Sequence, residues 1–532
     1  MVEPAQMTPP EAPAPAPEVH RLVHNLVRAD TYVGSVALMR IASALTALPG
    51  IAAAGLVMAT PANRQQVEAA GLLAAEGAAA RPNDLLIALR CPPDAVPRAV
   101  EEADRLLAQG RPDDANGTGG AGAFDDEDEP PRSLATVPDA PRLAVISTPG
   151  AYAAAEALKA LRLGMHAFVF SDNVPVADEV ALKREAHARG LLMMGPDCGT
   201  AVLDGIPLGF ANAVRRGPVG LIGASGTGLQ QVSTLLQAYG TGVSQIIGVG
   251  GRDLSEEVGG ACMRDALDVL AADPATETIV LVSKPPAPGV AREVLAHAAA
   301  IGKPVVAAFL GGAPDAPAGV RVAGTLRDAA RAAAGLEGPA PAAAPLAAPA
   351  GERRLLRALY AGGTFAYEAR LRLEAAGVKA DTDAQPPAPG ETPRLPGSHV
   401  VLDLGDDLFT AGRPHPMIDP AVRAPWLAAA LRDPATAVVV VDVVLGYGAD
   451  ADPAGAVAGI VAQERAVPGA RLPHVVAFVV GTPDDPQGLD GQVRALRDAG
   501  VTVLDSSTTV ADAVAAAFAP VPCGTPSDRS TR

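Results

Sequence analysis

The chain has 532 residues, 49% hydrophobic and 19% charged, with a net charge of −17. That length exceeds one core and that composition exceeds what a disordered chain carries, so about two to four domains are expected. The acidic balance excludes nucleic acid and anionic membranes as partners, because both reward Lys and Arg. The cysteines Cys91, Cys198, Cys262 and Cys523 form no CxxC pair, and no run approaches about 20 apolar residues. A zinc site, a disulfide scaffold and a membrane span are therefore not signalled, there is no metal signal, and a cytoplasmic chain is expected.

In chain order, residues 1–18 are a Pro/Ala tail expected to be disordered. Residues 19–215 read as one Rossmann-type domain interrupted by an exposed acidic loop, 111–133. Strand-like runs then recur: LAVIS from Leu143, AFVFS from Ala167, LLMMG from Leu191, GLIGA from Gly220, TIVLVS from Thr278 and PVVAAFLGG from Pro304. Helical spacing separates them, which predicts parallel sheets covered on both faces and right-handed crossovers. A second domain spans 216–338, a Pro/Ala linker 339–351, a third domain 352–520 and a tail 521–532. The fold class is α/β, with three Rossmann- or flavodoxin-like parallel-sheet domains.

The most informative stretch runs from Pro218 to Lys284. A buried strand feeds a glycine turn containing Ser225, Gly226, Thr227 and Gly228, and a helix follows at once. The first turn of a helix offers unpaired N–H donors and the positive end of the macrodipole, so a phosphoryl or carboxylate group is favoured there. The segment ALDVLAADPATETIVLVSKPPAP from Ala266 is echoed by AAALRDPATAVVVVDVVLGYGAD from Ala428, each a helix, a DPAT turn, a strand and a loop. GVGGRDL from Gly248 and LDLGDDL from Leu402 make a weaker echo, and together they predict two related modules.

The order GPDCGT from Gly195, GLIGASGTG from Gly220, GVGGRD from Gly248 and GKPVVAAFLGG from Gly302 resembles the succinyl-CoA synthetase α subunit. The second module, with DPAT, VVVVD and GYG, resembles the ligase domain of the β subunit. As one chain, from about Leu22 to Phe518, the arrangement is most similar to the FdrA group, with TPANR from Thr60, FSDNVPVADEV from Phe170, VSKPPA and GRPHPMIDP as further motifs. The resemblance implies a CoA-binding-like domain over 19–215 followed by two ligase domains. It also implies a phosphate between two helix N-termini, which would follow Ser225-Gly226-Thr227 and Gly446-Tyr447-Gly448.

The chain departs from that family in places that matter for chemistry. AGVRVAGT contains Ala323 and Gly324 where the family carries its phosphorylated histidine, so a phosphohistidine relay is not expected. Lys284 stands where the family has a glutamate, and a lysine suits free phosphate or an acyl phosphate. No ATP-grasp half is visible. RIASALTALPGIAAAG from Arg40 lacks the glycine-rich turn that holds CoA, which puts CoA in doubt.

The resemblance to the FdrA group implies a carbamoyltransferase of purine nitrogen catabolism, taking oxalurate and phosphate to oxamate and carbamoyl phosphate, with phosphate as co-substrate. A separately encoded partner subunit and self-association are expected. An acyl-CoA synthetase that needs an ATP-grasp partner, and a non-catalytic anion-binding scaffold, are the alternatives. His415, flanked by Arg413 and Asp419, is a candidate acid or base, or a structural residue held between prolines. Lys284 is a candidate anion binder or a strand-end residue, and Arg252 a carboxylate clamp or a loop-shaping residue beside Asp253. Cys198 reads as a small buried thiol, and Asp406 and Asp407 as turn carboxylates.

Overall fold

The computed structural model describes residues 22–109, 133–137, 142–312, 316–342, 345–387, 391–410 and 414–520, apart from positions 32, 34, 47 and 383. The expected tails 1–18 and 521–532, all but the last residue of the acidic loop 111–133, and Arg413 lie outside the described residues. The chain divides into two units, the first ending near Thr118 and the second running from Gly119.

The first unit differs from the expected Rossmann domain. Leu22–Arg28 and Ala53–Met58 both pair antiparallel with a central strand, Leu85–Cys91. Helices Ser35–Thr46, Pro61–Ala69 and Val96–Gln109 accompany this sheet. One face of the central strand buries Leu85, Ile87 and Leu89 against Leu38 and Leu45, and the other buries Leu86 and Ala88 against Val67 and Leu72. A strand covered on both faces is apolar throughout whichever way its neighbours run, which is why LLIALRC looks like a parallel strand in the sequence. In the TPANR motif, Thr60 caps the helix from Pro61 by accepting from the Asn63 N–H.

The second unit is α/β with parallel sheets, as expected. A three-stranded parallel sheet, Leu143–Ile146, His166–Val169 and Met193–Met194, carries helices Gly150–Arg162 and Val176–Ala188. It is fastened to the next module by Lys183, which is 1% exposed and donates to Glu179, to the Val249 carbonyl and to Asp253. Asp253 also accepts the N–H groups of Cys262 and Met263 at the start of helix Ala261–Ala272.

The predicted pair of modules is present. In the first, the parallel order is Val320–Val322, Val305–Phe309, Thr278–Ser283, Arg216–Gly223 and Val243–Gly248, extended by the antiparallel hairpin Thr200–Leu203 and Ile206–Gly209. The second has the same order, Thr502–Leu504, His474–Val480, Thr436–Val444, Leu355–Tyr360 and Val400–Asp403, parallel throughout. The two DPAT turns share their hydrogen bonds. Asp273 accepts from Ala275 N at 3.0 Å and from Thr276 Oγ1 at 2.8 Å, and Asp433 accepts from Ala435 N at 3.0 Å and from Thr436 Oγ1 at 2.7 Å.

The modules share one apolar core, in which Leu229, Val232 and Leu236 pack in the same cluster as Leu356, Phe365, Phe478 and Val510. Helix Gly226–Ala238 is buried along most of its length, including Gln230, Gln231, Ser233, Thr234 and Gln237. Ser233 and Thr234 bond back to carbonyls of their own helix, while two of the glutamines bridge the modules. Gln231 accepts the Ser507 N–H and Gln237 donates to Asp484. Gln230 instead donates to Asn212 in its own module, and burial of Gln231 and Gln237 is tolerated because each finds a partner across the junction.

Candidate functional site

In the second unit the start of helix Gly226–Ala238 faces the start of helix Gly363–Ala375. Ser225, the N-cap of the first, accepts the Gly228 N–H at 3.0 Å, and its Oγ lies 2.5 Å from Thr364 Oγ1 in the first turn of the second. A Cβ on Gly362 would sit 3.0 Å from the Thr227 methyl, so glycine lets the two turns approach. Among the described residues, no acceptor reaches the N–H groups of Gly226, Thr227, Gly363 or Thr364. Gly228 is spent on Ser225.

The second turn is held from behind. Asp442, fully buried near the C-terminal end of strand Thr436–Val444, accepts the N–H groups of Ala361 and Gly362 at 2.8 Å each. Arg423, also buried, donates to the same carboxylate at 2.8 Å and to the Asp442 carbonyl. A paired, fully bonded carboxylate in that position fixes where the following amides point.

Two charged groups flank the paired turns. Lys284, exposed at the end of strand Thr278–Ser283, brings Nζ within 3.2 Å of where a Cβ on Gly363 would stand. Asp403 ends strand Val400–Asp403. Its Oδ1 accepts the Gly405 N–H at 3.1 Å, and its Oδ2 lies so close to Gly363 that any side chain there would collide with it. Burial pushes the Asp403 carboxyl up to about 6, against an opposing pull from Lys284.

The other expected residues fall elsewhere. Gly446, Tyr447 and Gly448 do not open a helix; the next one starts at Pro453, capped by Asp452. The Gly446 N–H is held by Gln487 at 3.0 Å and the Tyr447 N–H by the Ala211 carbonyl at 2.8 Å, so neither is free for an anion. Their φ angles, +112° at Gly446 and +80° at Gly448, explain the glycines as a turn that docks the second module on the first. Tyr447 lines, with Arg215, Gln237 and Asp484, a separate cavity of about 520 Å³.

Arg252 donates to the Val174 carbonyl at 2.8 Å and pairs with Glu179 at 3.0 Å, contacts that fit the loop-shaping alternative better than the carboxylate clamp. His415 Nδ1 accepts the Met417 N–H, so a neutral ring carries its proton on Nε2, which packs against Gly405. Burial pushes the ring down to about 4. It is therefore unsuited to accept a proton near neutral pH, and the expected acid–base role is not supported. Cys198 is a buried thiol pushed up to about 12 by burial, as expected.

Sequence inspection missed Gly362, Gly363, Thr364, Asp403 and Asp442. The signal was available for the first three. LYAGGTFAYEA from Leu359 repeats the strand, glycine turn and helix of GLIGASGTGLQQ at the same place in its module.

Three family models match: "AllF, heavy metal-associated domain" over residues 21–123, "CoA binding domain" over 214–311 and "CoA-ligase" over 359–517. The CoA-binding match thus falls on the first module, and not on 19–215 where a CoA-binding-like domain was expected. A heavy metal does not fit the described residues of the first unit. Cys91 is buried in the apolar core, and no group of three or more His, Cys, Asp or Glu side chains stands together. Among the described residues no helix is long and apolar enough to cross a membrane.

The α-2 subunit of mitochondrial ADP-forming succinate–CoA ligase from Trichomonas vaginalis is 29% identical over 26% of this chain and 46% of its own. Subunit SauD of the ADP-forming sulfoacetate–CoA ligase of Bilophila wadsworthia is 30% identical over 29% of this chain and 52% of its own. The chain spans about half the length of these ligase subunits. A dinucleotide-forming acetyl-coenzyme A synthetase of Ca. Korarchaeum cryptofilum aligns over 73% of this chain and 85% of its own at 19% identity, with a TM-score of 0.32, too distant to carry an argument. The uncharacterized protein YahF of Escherichia coli K12 is 40% identical over 91% of this chain and 96% of its own. The chain is a member of the YahF family, built on CoA-binding and CoA-ligase domains.

Proposed function

We propose that the paired turns bind a phosphoryl group or the oxyanion of an acyl phosphate, and that the protein moves an acyl group between phosphate and the thiol of CoA. The observation that carries this is that the two helix starts lie together, Ser225 Oγ 2.5 Å from Thr364 Oγ1, where the N–H groups of Gly226, Thr227, Gly363 and Thr364 have no acceptor among the described residues and Lys284 stands alongside. Each helix start contributes about 0.3 to 2 kcal/mol toward an anion, and the charge-assisted bonds add to it. Donors fixed in place before charge develops stabilise a tetrahedral oxyanion equally well. The CoA-binding and CoA-ligase matches support the thiol as acceptor. No histidine stands at Ala323–Gly324, and His415 is turned to Gly405, so transfer proceeds without a phosphohistidine. Nucleotide chemistry is assigned to a partner subunit, in keeping with relatives that are named as ligase subunits. Carbamoyl transfer to phosphate, implied by the resemblance to the FdrA group, is the narrower version with the smallest acyl group.

The test is calorimetric titration of phosphate and of CoA into the wild type and Gly226→Asp, with turnover of acetyl phosphate and of carbamoyl phosphate measured in parallel. The carboxylate introduced at the first turn is expected to lower phosphate affinity at least about tenfold, since it removes more than about 1.4 kcal/mol. Equal phosphate affinity in the two proteins would discard the proposal. Turnover of carbamoyl phosphate alone, with no CoA binding, would favour the narrower version.

A further inference from the structure

We propose that Asp403 is the proton-carrying residue of the paired-turn site, giving a proton to an oxygen of the bound oxyanion and recovering one when that oxyanion leaves. This rests on the anion-binding role proposed above. A carboxylate is an unexpected neighbour for an anion, and its placement is specific. Asp403 Oδ2 lies in collision range of where a Cβ on Gly363 would stand, and Lys284 Nζ 3.2 Å from it, beside the residue that opens the second turn. Any side chain at position 363 would displace both charged heads, so the glycine admits them as well as the ligand. Oδ1 is fixed by the Gly405 N–H at 3.1 Å, whereas Oδ2 has no hydrogen-bond donor among the described residues. An ionised Oδ2 would repel an oxyanion held by the same turn, whereas a protonated one donates to it.

The surroundings favour the second state. Burial is the largest cause holding the carboxyl up at about 6, with Asp406 and Asp442 pushing the same way against Lys284 and the Gly405 N–H, and a further negative charge alongside raises it more. The charged groups that face it are Lys284 from strand Thr278–Ser283, Asp406 from its own loop, and Asp442 from strand Thr436–Val444, the last already bonded to two N–H groups and Arg423. His415, which packs on the adjacent Gly405, sits at about 4 and does not titrate between pH 5 and 8.

In acyl transfer the role balances as follows. A thiolate, its proton already lost to water, attacks the carbonyl of an acyl phosphate dianion; the C–S bond forms and the C–O bond to phosphorus breaks, with its electron pair going to the phosphate oxygen. Asp403 gives its proton to that oxygen, leaving a thioester, hydrogen phosphate dianion and the Asp403 carboxylate, which water reprotonates.

Sulfate tests this cleanly, because it binds as a tetrahedral dianion and does not itself titrate between pH 5 and 8. Sulfate is titrated calorimetrically into the wild-type protein in two buffers of different ionisation enthalpy, across that pH range, and then into Asp403→Asn. The expected result is uptake of about one proton per sulfate at neutral pH, with affinity falling about tenfold per pH unit above 6. Asp403→Asn is expected to bind sulfate with no proton uptake and a flat pH dependence. Sulfate binding that Gly226→Asp weakens, but with no proton taken up by the wild type, overturns the role of Asp403 and leaves the anion site standing. Sulfate binding that Gly226→Asp leaves unchanged, or no binding at any pH, overturns both.

Discussion

Asp442 carries the heaviest prediction. Its carboxylate is fully buried and accepts Ala361 N and Gly362 N at 2.8 Å each, while Arg423 donates to it from a buried position. Asp442→Asn keeps the shape, removes the charge and turns an NH2 toward a donor. Hydrogen bonds to a charged group contribute about 1.5 to 3 kcal/mol each, and breaking a buried ion pair costs about 3 to 5 kcal/mol. These overlap, so a local loss of about 3 to 5 kcal/mol is expected. With several modules a single unfolding free energy is not defined, so the assay is native-state hydrogen exchange of the Ala361 and Gly362 amides. Their exchange should speed up by about 100- to 3000-fold, at 1.4 kcal/mol per tenfold. Phosphate affinity should fall with it, because the amides of Gly363 and Thr364 lose their aim. Exchange within about fivefold of wild type, with phosphate binding unchanged, would show that the turn is held by its own sequence and would refute the support assigned to Asp442.

Three further outcomes follow from the same geometry. Glu368, 1% exposed, accepts from Leu326 N, Ser507 Oγ and Thr508 Oγ1 at the starts of two other helices, so Glu368→Ala should lower the melting temperature through a loss of about 2 to 5 kcal/mol; an unchanged melt would rule this out. His415→Gln should leave the shape of any pH–rate profile between 5 and 8 intact, since the ring already sits near 4; loss of an acidic limb there would restore it as a catalytic group. Asp403 has a folded-state value of about 6, above its ordinary 3.8, so its contribution to stability is present below 3.8 and lost as pH rises through 6. In anion-free buffer the wild type should therefore lose up to about 3 kcal/mol relative to Asp403→Asn between pH 4 and 7; parallel melting curves would contradict the burial of that carboxyl.

The strand runs of the second unit and the DPAT echo were legible because they are local. Apolar four- to six-residue runs set between helical spacings and turn residues read as strands, and an Asp two and three residues before an N–H and a hydroxyl closes the same turn in both modules. Ser225 was legible as a cap for the same reason. The antiparallel first unit was not, because a central strand buries both faces in either sheet type. The second anion-binding turn was assigned to Gly446-Tyr447-Gly448, where a glycine loop follows a buried strand. What separates that loop from Gly362-Gly363-Thr364 is which amides are already bonded, Gly446 to Gln487 in its own module and Tyr447 to Ala211 across the junction, partners that lie tens to more than two hundred positions away in the chain.

By itself, then, the sequence determined two related α/β modules and one helix start with open donors, since backbone propensity, capping and hydrophobic period act over a few residues. Only the tertiary structure decided which second turn faces it, that Arg252 pairs with Glu179 and the Val174 carbonyl, that His415 packs on Gly405, and that Asp403 stands beside Gly363. Those are matters of desolvation and of who is bonded to whom across the junction, and no local pattern encodes them.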